Sequence, residues 1–250
     1  MSGAILTTEG VNKSFGAVTA AREVSVSVPD GAIWSLIGSN GAGKTTFVNM
    51  VTGYIKPDVG RILFKEADIT GLSPREITRL GIRRSFQIPQ LCAELDVLDN
   101  MLVSQSINRE QKPSLFRSAH TAEQVETAMH TLERFKIADN RHRLMGELSA
   151  GVRKLLDIAM AISGAPKVML LDEPTSGVAS EEKFELMDLV MEVLSVSNVT
   201  VLFVEHDMDI VTRYSQRVLA FYDGEIIAND APEDVLADEA VQRYVTGTAK

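Results

Sequence analysis

The sequence predicts an α/β fold: a parallel sheet, an antiparallel β lobe near the N-terminus and a helical middle. Three observations carry this. Between residues 168 and 221, the apolar runs Val168–Leu171 and Thr200–Val204 and the strand-like Arg217–Phe221 alternate with an amphipathic helix from about Glu181 to Leu194 and a further helix. Unbroken apolar strands separated by helices are the mark of a parallel sheet covered on both faces. The first third instead reads as short strands, Ala4–Thr8, Val24–Val28, Ala32–Ile37 and Arg61–Phe64, the last following a turn at Pro57-Asp58-Val59-Gly60. Alternating Val and Ser in Val24–Val28 suits a half-exposed antiparallel sheet. From about Leu98 to Ile162 the pattern turns helical: Thr121-Ala122-Glu123-Gln124 fits a capping box, and Val125, Met129, Leu132 and Phe135 follow at helical spacing.

The 250 residues, 45% hydrophobic and 24% charged, suit one large folded domain. The opening MSGAILTTEG lacks the basic-then-apolar pattern of a secretory signal, and no stretch approaches eighteen uninterrupted apolar residues, so a cytoplasmic protein is expected. Lys and Arg number 25 against 34 Asp and Glu, giving 25 − 34 = −9. That balance offers no broad cationic field for nucleic acid or anionic lipid, and any membrane association is expected to run through an integral protein. Cys92 is the single cysteine, which excludes an internal disulfide and a cysteine metal cluster. His120, His130 and His142 lie in the helical middle without metal-ligand spacing and read as solvated, while Trp34 reads as core packing.

Gly38-Ser39-Asn40-Gly41-Ala42-Gly43-Lys44-Thr45 satisfies the P-loop pattern at every fixed position. A strand precedes it and a helix can open at Thr45, an arrangement that aims free backbone N–H groups at an anion. The glycines let the backbone curl around phosphates, Lys44 supplies a cation to the β- and γ-phosphates, and Thr45 offers a hydroxyl to Mg²⁺. Thr46 joins the nucleotide-binding set as the next residue of the same junction. ATP and Mg²⁺ are the ligands expected.

Val168–Leu171 ends in Asp172-Glu173, and two adjacent carboxylates at the mouth of a buried strand are costly without a task. Ligands gather at that end of parallel strands. Asp172 is assigned to Mg²⁺, through a bound water, and Glu173 to the attacking water as general base; capping of the turn before Pro174 is the alternative. Thr200–Val204 likewise ends in Glu205-His206-Asp207, where His206 is placed to hydrogen-bond the γ-phosphate or to serve the fold alone.

Between the P-loop and Asp172 lies Leu148-Ser149-Ala150-Gly151-Val152, just before a helix at Arg153 to Ile162. In that position it resembles the LSGGQ signature of the nucleotide-binding subunits of ABC (ATP-binding cassette) transporters. The resemblance implies one ABC domain over residues 1–250, with a RecA-like P-loop core, the antiparallel β lobe, a helical lobe inserted at about 88–160 and a tail at about 224–250. It implies further that two such subunits sandwich two ATP molecules, Ser149 and the Gly151 N–H reaching the γ-phosphate held by the opposite subunit. Ser149 as a plain helix N-cap is compatible with that role. Phe15 resembles the aromatic that stacks on adenine, with core packing as its alternative. Gln87 resembles the glutamine that touches the metal site and links it to the membrane partner. Ser176-Gly177-Val178-Ala179 sits where the family has its dimer-contacting loop.

The likeness is closest to the ATP-binding subunits of branched-chain, or more broadly hydrophobic, amino-acid importers. It is carried by Phe86-Gln87-Ile88-Pro89, Asp96-Val97-Leu98-Asp99-Asn100, Val204-Glu205-His206-Asp207-Met208 and the tail from Gly224-Glu225-Ile226-Ile227 through Ala231-Pro232-Glu233 to Tyr244-Val245. The implied partners are a second cassette, integral membrane permease subunits and, indirectly, a solute-binding protein, with the chain peripheral on the inner face of the plasma membrane. Urea and lipopolysaccharide transport systems, or a soluble ATPase of iron-sulfur assembly, are the alternatives. Ala150 and Val152 depart from the signature, and Val152 in place of glutamine implies reduced hydrolysis. The acidic tail helix around Glu233 to Tyr244 is either a partner surface or a lid on the core.

Overall fold

Two sheets organise the chain, a computed structural model describing residues 3–108 and 121–248. The elements in order are β1 (Ala4–Phe15), β2 (Val18–Pro29), β3 (Ile33–Gly38), α1 (Lys44–Val51), β4 (Val59–Phe64), β5 (Ala67–Asp68), α2 (Pro74–Leu80), β6 (Ile82–Ser85), α3 (Val97–Asn108), α4 (Ala122–Arg134), α5 (Ala150–Ile162), β7 (Val168–Asp172), α6 (Lys183–Val196), β8 (Thr200–Val204), α7 (Met208–Tyr214), β9 (Arg217–Tyr222), β10 (Glu225–Asp230), α8 (Pro232–Ala237) and α9 (Glu239–Val241). By contact density they divide into two compact units, Met1–Arg83 with Lys167–Glu173 and Asn198–Lys250, and Arg84–Pro166 with Pro174–Ser197.

In the first unit, β2-β1-β4-β5 form a four-stranded sheet whose resolved pairings are antiparallel. The expected Ala4–Thr8 and Val24–Val28 are only parts of strands that run to Phe15 and start at Val18. The apolar alternation of β1 changes phase between Thr8 and Val11, where the register shifts and Gly10, at φ +54°, gives its N–H to Ser25 Oγ at 2.8 Å. A bulge of this kind hides a long strand from a period-two reading.

The second sheet runs β10-β9-β3-β8-β7-β6. β3 pairs in parallel with both β8 and β9, and β7 with β8. Residues of β7 and β8 are buried without exception, as apolar parallel strands require. The register aligns Asp172 with Val204 and Val204 with Leu36, so the C-terminal ends of β7, β8 and β3 lie level. Trp34 packs in this core at 7% exposure, with the Arg217 guanidinium 5.7 Å from its ring centroid. The tail buries Val235 and Val241 and stacks Tyr244 on Tyr222 with centroids 4.6 Å apart.

The second unit packs α3 against α4 and α5, and α5 against α6, around Met101, Leu132, Phe135, Leu156 and Met187. Among the described residues the helical expectation for Leu98 to Ile162 holds for three helices but not for residues 135–149, where irregular chain encloses two 3₁₀ turns, Ala138–Asn140 and Met145–Glu147; residues 109–120 of that span lie outside the described residues. Thr121 caps α4, its Oγ1 accepting from the Gln124 N–H at 3.3 Å. The helix α2 went unread in the sequence despite its capping box: Ser73 N–H donates to Glu76 Oε2 at 2.8 Å and Glu76 N–H to Ser73 Oγ at 3.4 Å. His130 and His142 are exposed, and His120 lies outside the described residues. No helix among the described residues is long and apolar enough to cross a membrane.

Candidate functional site

The β3–α1 junction builds a concave loop because three glycines adopt backbone that a side chain would strain. Gly38, Gly41 and Gly43 sit at φ +153°, +83° and +107°. A Cβ on Gly38 would collide with the Phe221 carbonyl of β9, and one on Gly43 with the Ala20 carbonyl of β2. The loop is closed by Ala42 N–H donating to the Ser39 carbonyl at 3.1 Å and braced by Gly224 N–H donating to the Ala42 carbonyl, also at 3.1 Å. β2 and the β9–β10 turn therefore clamp the loop from positions that no local motif reveals. Helix α1 starts at Lys44, and its first-turn N–H groups have no intrahelical acceptor. Such a terminus is an anion seat.

Lys44 turns back into this cradle. Its Nζ donates to the Gly38 carbonyl at 2.6 Å and to the Ser39 carbonyl at 3.0 Å, with only 6% of the residue exposed. Burial pushes the ammonium below its usual range, and the carboxylates of Glu173 and Asp172 push it back up. The anionic ends of β7 thus lie within electrostatic reach of the loop. Asn40, Gly41, Ala42, Gly43, Lys44, Thr45, Thr46, Glu173 and His206 line one cavity of about 130 Å³. Thr45 is exposed at its edge and Asp172 is buried beside it in sequence to Glu173.

Glu173 and His206 face each other, Glu173 Oε1 and His206 Nε2 being 3.0 Å apart. The Glu173 N–H donates to the Val204 carbonyl at 3.0 Å, and its backbone stands at φ +46°, a left-handed conformation costly for a residue with a side chain. Such an outlier at the end of a buried strand marks a position where placement outweighs local comfort. Glu205, 4% exposed, fixes the next turn by accepting the His206 N–H on Oε2 at 3.0 Å. The sequence reading passed over this bracing role.

Phe15 lies at the β1–β2 turn, 49% exposed, with Lys13 Nζ 5.5 Å from its ring centroid. An exposed aromatic excludes the core-packing alternative. The second unit carries the remaining candidates. Gln87 is exposed in an irregular segment after β6. Ser149 caps α5, its Oγ accepting the Val152 N–H at 3.3 Å, and Gly151 sits in the first turn of that helix. Ser149, Gly151 and Val152 border a groove of about 540 Å³ that Glu182, Glu185 and Asp188 of α6 and its approach also line. Among the described residues no cluster of three or more His, Cys, Asp or Glu forms a metal cage.

The ABC transporter family model matches residues 21–176, a span holding the loop, the signature-like segment and Asp172-Glu173. The chain is 38% identical over 252 residues to a probable branched-chain amino acid transport ATP-binding protein, LivG, of Methanocaldococcus jannaschii, covering 97% of each. It is 34% identical over 258 residues to the high-affinity branched-chain amino acid transport ATP-binding protein LivG of Escherichia coli, covering 100% of each. Among solved structures, the ADP conformation of an ATP-binding cassette of an ABC transporter superposes with a TM-score of 0.86 at 36% identity, over 96% of this chain and 97% of that one. Matched over most of its length by the family model and end to end by these relatives, the chain belongs to the ABC transporter family, as one of its ATP-binding cassettes.

Proposed function

We propose that the chain is the ATP-binding and ATP-hydrolysing subunit of an importer for branched-chain or other hydrophobic amino acids. The observation that carries the reading is the single cavity in which the phosphate cradle Asn40–Thr46 meets the Glu173–His206 pair. The full-length likeness to branched-chain amino acid transport ATP-binding proteins supports the substrate class. Glycine cradle, helix terminus and buried ammonium fit a triphosphate, and Phe15 is available to stack on the base. A Thr45 hydroxyl, the Asp172 carboxylate and the Gln87 side-chain carbonyl are hard oxygen donors of the type Mg²⁺ takes alongside phosphate oxygens. When bound, that ion neutralises charge on the β- and γ-phosphates.

Glu173 accepts a proton from water as the water oxygen bonds the γ-phosphorus and the bond to the ADP oxygen breaks. His206, whose Nε2 stands 3.0 Å from Glu173, turns that N–H to the γ-phosphate when ATP is bound, which frees the Glu173 carboxylate and keeps the water in line. Lys44 stays on the β- and γ-oxygens throughout, where charge builds in the transition state. Ser149 and the Gly151 N–H complete the site on a second copy, so turnover requires two cassettes. That pair docks on membrane permease subunits, which place an otherwise soluble chain at the inner membrane face. Closure on ATP and reopening after hydrolysis then gate the permease by shifting its populations.

The direct test is the Mg²⁺-dependent ATPase rate per subunit against protein concentration. It is expected to climb with concentration as pairs form. A rate independent of concentration would refute shared sites.

Val152 favours a second reading, a cassette that closes on ATP and turns over slowly, because an aliphatic side chain cannot donate to a phosphate oxygen. Val152→Gln is expected to raise kcat by about tenfold, the worth of roughly 1.5 kcal/mol for one added hydrogen bond to charge. No gain in turnover would remove Val152 as the limit.

A further inference from the structure

Two charged side chains buried in the second unit have no part in the chemistry above, yet they grip the segment that carries Gln87. Residues 86–90 form no strand or helix, so their backbone groups must find partners elsewhere or remain costly. α5 provides those partners. Lys154, 2% exposed, donates from Nζ to the Phe86 carbonyl at 2.9 Å and to the Gln87 carbonyl at 3.0 Å. Asp157, one turn further and 6% exposed, accepts the Phe86 N–H on Oδ2 at 3.1 Å and the Gln90 N–H on Oδ1 at 3.3 Å.

The four bonds bracket Gln87 on both sides and leave its side chain exposed. Arg84 adds a guanidinium 4.9 Å from the Phe86 ring centroid. Burying an ammonium and a carboxylate in a helix face otherwise apolar is expensive. Burial pushes the Asp157 carboxyl up to about 6, against the pull of the Phe86 and Gln90 N–H groups and of Lys154. A segment that merely needed covering would be served by apolar side chains and water. Bonds in both directions to four backbone groups fix position instead.

α5 is also the helix whose N-terminus is Ser149, five residues before Lys154. We infer that Lys154 and Asp157 are positioning residues that pin the Gln87 segment to the signature helix, so that Gln87 and Ser149 move as one body when the γ-phosphate is engaged. Neither residue touches nucleotide; both act through Gln87. This rests on the role proposed for Gln87, and the test separates the two.

The experiment is a double-mutant cycle on the full chain, measuring kcat and KM for ATP in Gln87→Ala, Lys154→Met and the combination. Lys154→Met is expected to lower kcat by roughly ten- to a hundredfold, the range for misplacement of a positioning group by about 1 Å, and to leave KM within about twofold. In the Gln87→Ala background the same change is expected to have almost no further effect. Multiplying losses would show that Lys154 acts elsewhere and overturn the inference while Gln87 keeps its role. An unchanged kcat in Gln87→Ala would overturn both. Should Lys154→Met fail to fold, the near-isosteric Asp157→Asn replaces it in the cycle with the same outcomes, and amide exchange at Phe86 and Gln90 reads the grip directly. Exchange as slow in Asp157→Asn as in the parent chain would also refute it.

Discussion

Glu173→Gln is expected to abolish ATP turnover, lowering kcat by about a thousandfold, within the usual range for removing a positioned general base. ATP affinity should remain within a fewfold of the parent value. The separation follows from the site. Gln is isosteric with Glu and carries the same penalty for the left-handed backbone at φ +46°, so the turn after β7 has no new reason to relax. The 3.0 Å contact with His206 survives because an amide can donate to or accept from an imidazole. What disappears is the capacity to take the proton from water. Removing a negative charge from a cavity built for phosphates does not oppose binding, so ATP should accumulate unhydrolysed and hold two copies together. Steady-state ATPase assays, nucleotide titration and size-exclusion chromatography with ATP and Mg²⁺ measure the three parts. Full activity would transfer the base role from Glu173 to another group.

How much of this was legible in the sequence depended on whether the determinants were local. Gly38–Thr45 is contiguous, and its chemistry could be assigned residue by residue before any fold was known. Val168–Leu171 and Thr200–Val204 were legible because strands buried on both faces are written as unbroken apolar runs. That Glu173 and His206 meet follows from the register that aligns Asp172 with Val204, which no single strand encodes. β1 and β2 were read short because the bulge at Gly10 shifts their alternation, and α2 was passed over although Ser73-Pro74 and Glu76 spell a helix start. Least legible were Lys154 and Asp157. A helix bearing Arg153, Lys154 and Asp157 reads as having a charged outer face, and only the fold turns two of the three inward. The bracing of the P-loop by Ala20 and Gly224 is equally silent, since both lie far from it along the chain.

Lys44→Met should cost ATP binding itself, with affinity falling by more than about a hundredfold. The Gly38 and Ser39 carbonyls hold the ammonium in the cradle at 2.6 and 3.0 Å. Buried and held by two bonds, its side chain has little freedom left to lose on binding phosphate. A hydrogen bond from a buried cation to a charged oxygen contributes roughly 1.5–3 kcal/mol, and the attraction of the whole charge to the triphosphate adds to it, so the loss reaches about 3 kcal/mol. A second effect adds to the first. Asp172 and Glu173 both bear on this cation, and without it their charges face the incoming phosphates with less compensation. Met fills the hydrocarbon volume of the lysine stem, so loss of affinity without a broad loss of structure is the expected pattern. Calorimetric titration with ATP beside far-UV circular dichroism separates them. Lys44→Arg is a sharper control than it looks: it keeps the charge, but its planar fork must fit a pocket that leaves Lys44 only 6% exposed. If both variants lose binding, geometry and charge act together in the cradle. If Lys44→Met binds ATP within threefold of the parent chain, the glycine loop and the α1 terminus hold the triphosphate by themselves, and the lysine belongs to the transition state alone.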